Sequence, residues 1–584
     1  MLSNLTANLG ADLLAFLPEL VLCAGIVFLL VFRLFGVLNR AHLGVFALAV
    51  ALIALGVSWQ QWQEDVAPAE MFSGLLAYDK LTIFLRLFLY AFAALLVWLS
   101  MLTGIPDRED SADFYCLLLG ATLGMALMAS SNHLLMVFIA VEMASLPSYA
   151  LAGFLKGKRQ SSEAALKYVV YGGGAAGIML YGISLIAGKF GTGYLPDIAT
   201  GFAAVFGNPP GTGAVTVDTT LVLGILFILV GFGFKLAAFP FHFWCPDVFE
   251  GAAAEVAGFL SVASKGAALA LTGRFALVLA GLANAAPDLE TWQKVSPYLG
   301  GALAVFAALT ATFGNLAAYQ QTNLKRLLAY STIAHAGYMM MGLATLTPQG
   351  VSAVLFYLVA YLLMNLGAFA IVAFLRNLTG SEDLSTFRGL IQRSPLMVVT
   401  LGFFLLSLLG LPPLVGFAAK FQIFRVLFEA GNLYREQSRA LSYTMYALLV
   451  IGGLNTVFSV FYYLKVLKVM ALDKPLEEIE GRPAVPLAGP LGFRLYATLL
   501  ALVVLVLGIF WGPLIRASDK GADGFGQVMS PAARDEVARR SSEQYRSAAA
   551  AKGAKMGAMM KNAFNGKAGK GAGKGKGKAK GKGP

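Results

Sequence analysis

Three cysteines and four histidines are all that 584 residues offer of the commonest soft metal ligands. Cys23, Cys116 and Cys245 are isolated, each in or beside an apolar run, and His42, His133, His242 and His335 are scattered. No iron–sulfur, haem-attachment or thiolate-cluster spacing results. There is no P-loop lysine motif. Gly172-Gly173-Gly174 falls inside an apolar helix, where close packing rather than phosphate binding is the expected use. The chain is therefore expected to hold no redox metal, to hydrolyse no nucleotide and to carry no electrons. The first 35 residues have neither a basic leader nor a small-residue cleavage site, so the first helix is expected to be retained. Charge is scarce as well, at 13% of residues.

What is abundant is apolar surface: 58% hydrophobic residues and a mean hydropathy of +0.72. A soluble chain of this size could not bury that much, so the composition implies a polytopic membrane protein. Apolar runs near 20 residues predict about 14 spanning helices. They lie at 13–35, 42–60, 80–103, 113–130, 132–154, 161–188, 219–247, 254–282, 296–318, 325–346, 350–376, 395–428, 443–470 and 491–512. The fourth and fifth can also be drawn as one broken pair. Nothing alternates like a barrel strand, so the fold class is an all-α bundle over 1–512.

Five charges interrupt these runs: Glu142, Lys167, Lys235, Lys265 and Lys420. A charge at mid-bilayer costs about 2.5–3.5 kcal/mol, so five facing lipid would cost on the order of 12–18 kcal/mol. They must be shielded, paired or hydrated, and lysines with a carboxylate suit a path for protons or ions. Simpler roles compete. Lys167, near the start of its run, and Lys420 could snorkel to an interface, and Glu142 could form a purely structural ion pair. His335, in STIAHAGYMMM, is either a proton relay or a packing residue.

Two spans carry breaks beside a lysine. The seventh holds Lys235, Pro240 and Pro246; the twelfth holds Pro412, Pro413 and Lys420. Proline removes a helical hydrogen bond and frees carbonyls, which the membrane tolerates only beside protein or water. Spans seven and twelve lie five apart. Two five-helix units, about 113–282 and 296–470, would therefore have opposite orientation, the inverted-repeat arrangement of transporters.

The loops set the sidedness. With the N-terminus outside, inward loops collect most of the Lys and Arg, among them Arg33, Arg40, Arg108, Lys156, Lys325 and Arg482. Outward loops hold about half as many, mainly Arg425, Arg435 and Arg439. Both termini are thus expected on the outer side. Residues 534–584 carry fourteen Lys and Arg against three acidic residues, and so nearly all of the net +12 of the chain. Within the 513–564 tail, 531–564 suits a polar helix. The Lys/Gly-rich 565–584 segment is too poor in apolar residues to fold. With no aromatic interleaved among its lysines, this tail is expected to stay solvated or touch lipid headgroups rather than bind nucleic acid.

At these residues the chain resembles the proton-pumping antiporter-like subunits of respiratory complex I, kin of multisubunit cation/proton antiporters. FIAVEMASLPSYALAGF, SSEAALKYVVYGGGAAG, FKLAAFPFHFWCPDVFEGA, ASKGAALAL, LKRLLAYSTIAHAGYMMMGL and GLPPLVGFAAKF occur in that order. SLPSYAL, EAALKY and a lysine in the twelfth span are most similar to subunit N, the counterpart of mitochondrial subunit two. The resemblance covers about 10–512. It implies a 14-helix subunit of NADH:quinone oxidoreductase beside two homologous subunits in a bacterial inner membrane, with flavin, iron–sulfur clusters and quinone on other chains. It also implies a Glu142–Lys235 pair, Lys167 as the additional lysine of this subunit, Lys265 as the central lysine and Lys420 at the exit half-channel. One departure stands out: after PDVFEGA the family usually has a proline-containing run, where this chain reads Ala252-Ala253-Ala254-Glu255-Val256. A subunit of a Na⁺(K⁺)/H⁺ antiporter fits the same charges, and a non-transporting assembly scaffold is the third reading.

Overall fold

A computed structural model of the chain describes residues 9–34, 43–64, 68–106, 110–207, 218–281, 289–475, 487 and 489–523. The expected polar helix at 531–564, the 565–584 extension, and Arg40, Arg108 and Arg482 lie outside the described residues. The described chain is helical: α1 Leu9–Ala15, α2 Leu17–Leu34, α3 Leu43–Gln63, α4 Lys80–Thr103, α5 Ser111–Ser130, α6 Leu134–Ala152, α7 Arg159–Phe190, α8 Leu195–Gly207, α9 Thr219–Leu236 and α10 Trp244–Gly251. There follow α11 Ala254–Leu279, α12 Leu289–Ala318, α13 Leu324–Ala344, α14 Pro348–Thr379, α15 Pro395–Leu409, α16 Val415–Leu433, α17 Arg439–Ala471, α18 Leu491–Ile509 and α19 Gly512–Ala522. One antiparallel hairpin, β1 Ala69–Met71 with β2 Leu76–Tyr78, pairs Ala69 with Tyr78.

Each of the fourteen expected runs is helical, but twelve of these helices are long and apolar enough to cross a membrane. The seventh run is divided into α9 and α10 and the twelfth into α15 and α16. The tenth, α13, is too polar to qualify because it never needs to face lipid: nearly all its residues are buried. Runs four and five are separate helices, with Ser131 to His133 between them.

Burial sorts the helices into layers. The whole of α11 and 94% of the most apolar 18-residue stretch of α14 are enclosed, whereas the outer α2 buries only 28% of its span. Close packing needs small residues at the contacts. A Cβ at Gly124 would meet the α6 backbone, and one at Gly314 would lie 2.5 Å from the Ala334 nitrogen. Gly172 is likewise pressed against Tyr149, while Gly173 and Gly174 face open space.

Two faces emerge from the pairing of helix ends. On one, Arg326 at the start of α13 reaches Asp247 and Glu250 of the short α10 (2.6 and 2.8 Å), and Lys325 reaches Glu382 beyond α14 (2.8 Å). On the other, Arg274 near the end of α11 grips Asp79 before α4 (2.7 Å), and the Tyr434 hydroxyl beyond α16 donates to the Thr345 carbonyl (2.9 Å). The broken rod α9–α10 therefore runs toward the Arg326 face, and α15–α16 runs away from it.

Candidate functional site

Lys235, Lys265 and Lys420 are 2%, 0% and 4% exposed, and each stands at an irregularity in a helix. The cause is clearest at Lys420. In a continuous helix the carbonyls of Leu408 and Leu409 would bond to residues 412 and 413, but both are prolines and have no N–H. Gly410 turns the chain at φ 91°, and the Lys420 Nζ donates to the freed Leu409 carbonyl at 2.9 Å. The same ammonium sits 4.7 Å above the Tyr338 ring.

Lys235 lies in the last turn of α9, where Ala237 at φ 53° ends the helix and Pro240 cannot donate to the Leu236 carbonyl. It thus occupies the negative end of a half-helix dipole, as Lys420 does against α15. Among the described residues its Nζ has no hydrogen-bond partner. Glu142 on α6 and Lys265 on α11 act on it electrostatically, and no direct ion pair joins it to Glu142. Glu142 is half-buried. Pro246 lies in the first turn of α10, a position that needs no N–H, so Pro240 makes this break.

Lys265 directly follows a π-helical turn, Leu260–Ser264. Such turns recur at functional sites because they locally loosen the hydrogen-bond ladder. Its Nζ is 4.0 Å from the Cys245 Sγ and lies over the rings of Trp244 (5.5 Å) and Phe249 (5.7 Å).

Aromatic and hydroxyl groups fill the space between these lysines. Tyr149 meets Tyr168 edge-on at 4.7 Å, and Tyr168 stacks at 4.3 Å on the Trp244 that underlies Lys265. Both hydroxyls are buried; that of Tyr168 has no hydrogen-bond partner among the described residues and that of Tyr149 has only Ser145 near it, the condition in which interior polar atoms hold ordered water. Toward Lys420, His335 shares its Nδ1 with the Tyr357 hydroxyl (2.7 Å) and its Nε2 with that of Tyr463 (3.1 Å), which also meets Ser331 (2.5 Å). Its ring lies 5.1 Å from Tyr361 and 6.0 Å from Tyr338, the ring beneath Lys420. Both ring nitrogens are in hydrogen bonds, so His335 belongs to a connected polar network.

Lys167 is not among these groups. It is 37% exposed and bonded to Asp247 (2.7 Å) and Glu163 (2.8 Å). With Arg326 and Glu250 they line a cavity of about 230 Å³ at the Arg326 face. Other buried charges escaped the sequence reading: Glu19–Arg86 (2.6 Å, both 1% exposed), Asp79–Arg274 and Lys325–Glu382. Arg86 and Arg274 interrupt apolar runs just as Lys235 does, and the same signal would have found them. Glu255 is buried at 0% exposure.

A family model described as "NADH:quinone oxidoreductase/Mrp antiporter, TM" matches residues 131–435, from the start of α6 to just past α16. The "NADH-quinone oxidoreductase subunit N 2" of Sorangium cellulosum is 40% identical, covering 86% of this chain and 96% of that one. The chain belongs to the subunit N family of NADH-quinone oxidoreductase. A solved structure titled "Respiratory complex I from Thermus thermophilus with bound Aureothin" contains a chain 31% identical, with a TM-score of 0.67 over 86% of this chain and all of that one. A chain of the "Mrp complex from Dietzia sp. DQ12-45-1b" reaches a TM-score of 0.72 at 19% identity, covering 87% of this chain and 97% of that one. That likeness is one of fold. The break at Pro240, the π turn and the break at Pro412–Pro413 all fall within residues 131–435, the segment that the family model matches.

Proposed function

We propose that this chain is the proton-translocating membrane subunit N of NADH:quinone oxidoreductase, with Lys235, Lys265 and Lys420 as its proton-carrying sites. The observation that carries this reading is the placement of all three amines, under 5% exposed, at discontinuities in α9, α11 and α15–α16. A buried amine is costly when charged and becomes able to release its proton; a nearby carboxylate holds the proton in place. Glu142 supplies the carboxylate for Lys235. Withdrawing its influence would let Lys235 pass a proton toward Lys265 through water held by Tyr149 and Tyr168. The His335–Tyr357–Tyr463 network would extend the line to Lys420. Lys167 would serve at the rim, setting charge at the Arg326 face.

The reading further takes the chain to cross the inner membrane fourteen times, with spans 113–282 and 296–470 as inverted repeats. Their opposed broken rods support the inversion. The Arg326 face would be the inner one, where the basic loops gather, and both termini would lie outside. Neighbours would be other membrane subunits, including two homologous ones, and flavin, iron–sulfur clusters and quinone would be bound by other chains. The test is Lys265→Ala in the assembled complex, followed by NADH-driven acidification of inverted vesicles and quinone reduction. Loss of both with normal assembly is expected. Full pumping would place the lysines in a structural scaffold.

A further inference from the structure

Glu255 lies in the first turn of α11 and is wholly enclosed. Neither of its oxygens has a hydrogen-bond partner among the described residues. The nearest cation is Arg376 on α14, whose Nη2 is 3.7 Å from Oε1, beyond hydrogen-bond length; its Nη1 is also buried and unpartnered. Lys325 on α13 acts on Glu255 electrostatically but is committed to the Ala252 carbonyl (2.7 Å) and to Glu382 (2.8 Å). On α10, Asp247 is bonded to Lys167 and Arg326, and Glu250 to Arg326.

Isolated buried carboxylates are expensive unless they are paired, hydrated or protonated. A 3.7 Å contact meets that need only in part. From Glu255 the polar groups continue inward: Ser261 on α11 accepts from Asn365 on α14, and the Asn365 Oδ1 is itself buried with no hydrogen-bond partner among the described residues. Lys265 follows one turn beyond Ser261, past the π turn. Ten residues of helix place it about 15 Å from Glu255 along the axis, with Ser261 and Asn365 between them.

We propose that Glu255 loads protons from the Arg326 face onto Lys265, an inference that rests on the reading of Lys265 as a proton carrier. Hydronium at that face protonates the Glu255 carboxylate. The acid then gives its proton, through water held by Ser261 and Asn365, to the neutral Lys265 amine. Glu255 returns to the carboxylate and one proton has moved inward, with no change in electron count. Arg376 steadies the carboxylate between cycles.

Glu255→Gln, Glu255→Asp and the double variant Glu255→Gln/Arg376→Gln test this in the assembled complex, with Lys265→Ala in parallel. Glu255→Gln should assemble but pump several-fold more slowly, with Glu255→Asp retaining most of the rate. The double variant should assemble and stay slow. Infrared difference spectra of the complex on NADH reduction should contain a protonated-carboxyl stretch that Glu255→Gln removes. A merely structural ion pair would instead show reduced assembly in Glu255→Gln, assembly and pumping both restored in the double variant, and no such band; that result overturns the proposal. If Lys265→Ala abolishes pumping while Glu255→Gln leaves it intact, this inference alone fails. If Lys265→Ala pumps normally, the proton axis fails with it.

Discussion

Lys420 lies on one side of a proline break and bonds across it to Leu409, its Nζ donating to that carbonyl at 2.9 Å. The acceptor exists because two consecutive prolines leave carbonyls that the helix cannot use. A lysine can donate in either protonation state, so this tether need not break when the proton leaves. Movement of α15 against α16 would change the environment of the amine directly, and a proton pump needs a coupling of that kind.

Glu142 should accept aspartate better than glutamine, because its effect on Lys235 is electrostatic and no direct bond fixes its length. Glutamine would leave Lys235 with no carboxylate acting on it and favour the neutral amine. Quinone reductase activity should fall sharply in Glu142→Gln and moderately in Glu142→Asp. Unchanged activity in Glu142→Gln would assign the pair a structural role.

Asp79 provides a test of stability. Burial favours its neutral acid, but the paired bonds from Arg274 (2.7 and 3.0 Å) outweigh that and hold the carboxyl below its usual range. Because the folded-state value is depressed, the pair stabilises above the unfolded carboxyl value, about 4, and that contribution is lost as pH falls further. Asp79→Asn should cost about 3–5 kcal/mol by leaving Arg274 unpaired. A thermal melt of the purified complex should show a lower midpoint that no longer depends on pH in the acid range through this site. A midpoint equal to that of the parent would remove Asp79–Arg274 as the tie between α4 and α11.

Much of this architecture was legible in the chain. Apolar runs located every long helix because lipid or a packed interior dictates their composition, and the prolines marked both broken rods. Lys235, Lys265 and Lys420 were visible as charges where none should be. The environment of each was not. Lys167 looks the same in sequence but lies at the rim, because Asp247 and Glu163 come to it from a neighbouring helix and its own preceding turn. The Tyr357–His335–Tyr463 network, by contrast, joins three helices, α14, α13 and α17, and tyrosines in apolar runs carry no marker of what they will touch. Glu255 stands out in the sequence only against the pattern of the family that the chain resembles, and its enclosure against Arg376 depends on tertiary packing.

Removal of residues 566–584, which lie outside the described residues, should leave assembly and pumping intact. The seven lysines there alternate mainly with glycine, so the segment has no apolar surface with which to dock. Any contact should be electrostatic and weaken with salt. A native gel decides: failure of the truncated chain to assemble would make the tail a docking element.

Lys235 is the decisive residue: its buried amine is bonded to nothing among the described residues and is acted on by Glu142 and Lys265. The direct measurement is NADH-driven acidification of inverted vesicles carrying Lys235→Ala or Lys235→Arg, with assembly verified in the same membranes. Both variants should assemble and lose most of their pumping: alanine because no titratable group remains, arginine because its proton is never released. Normal acidification by the alanine variant would contradict the account and remove Lys235 from the path.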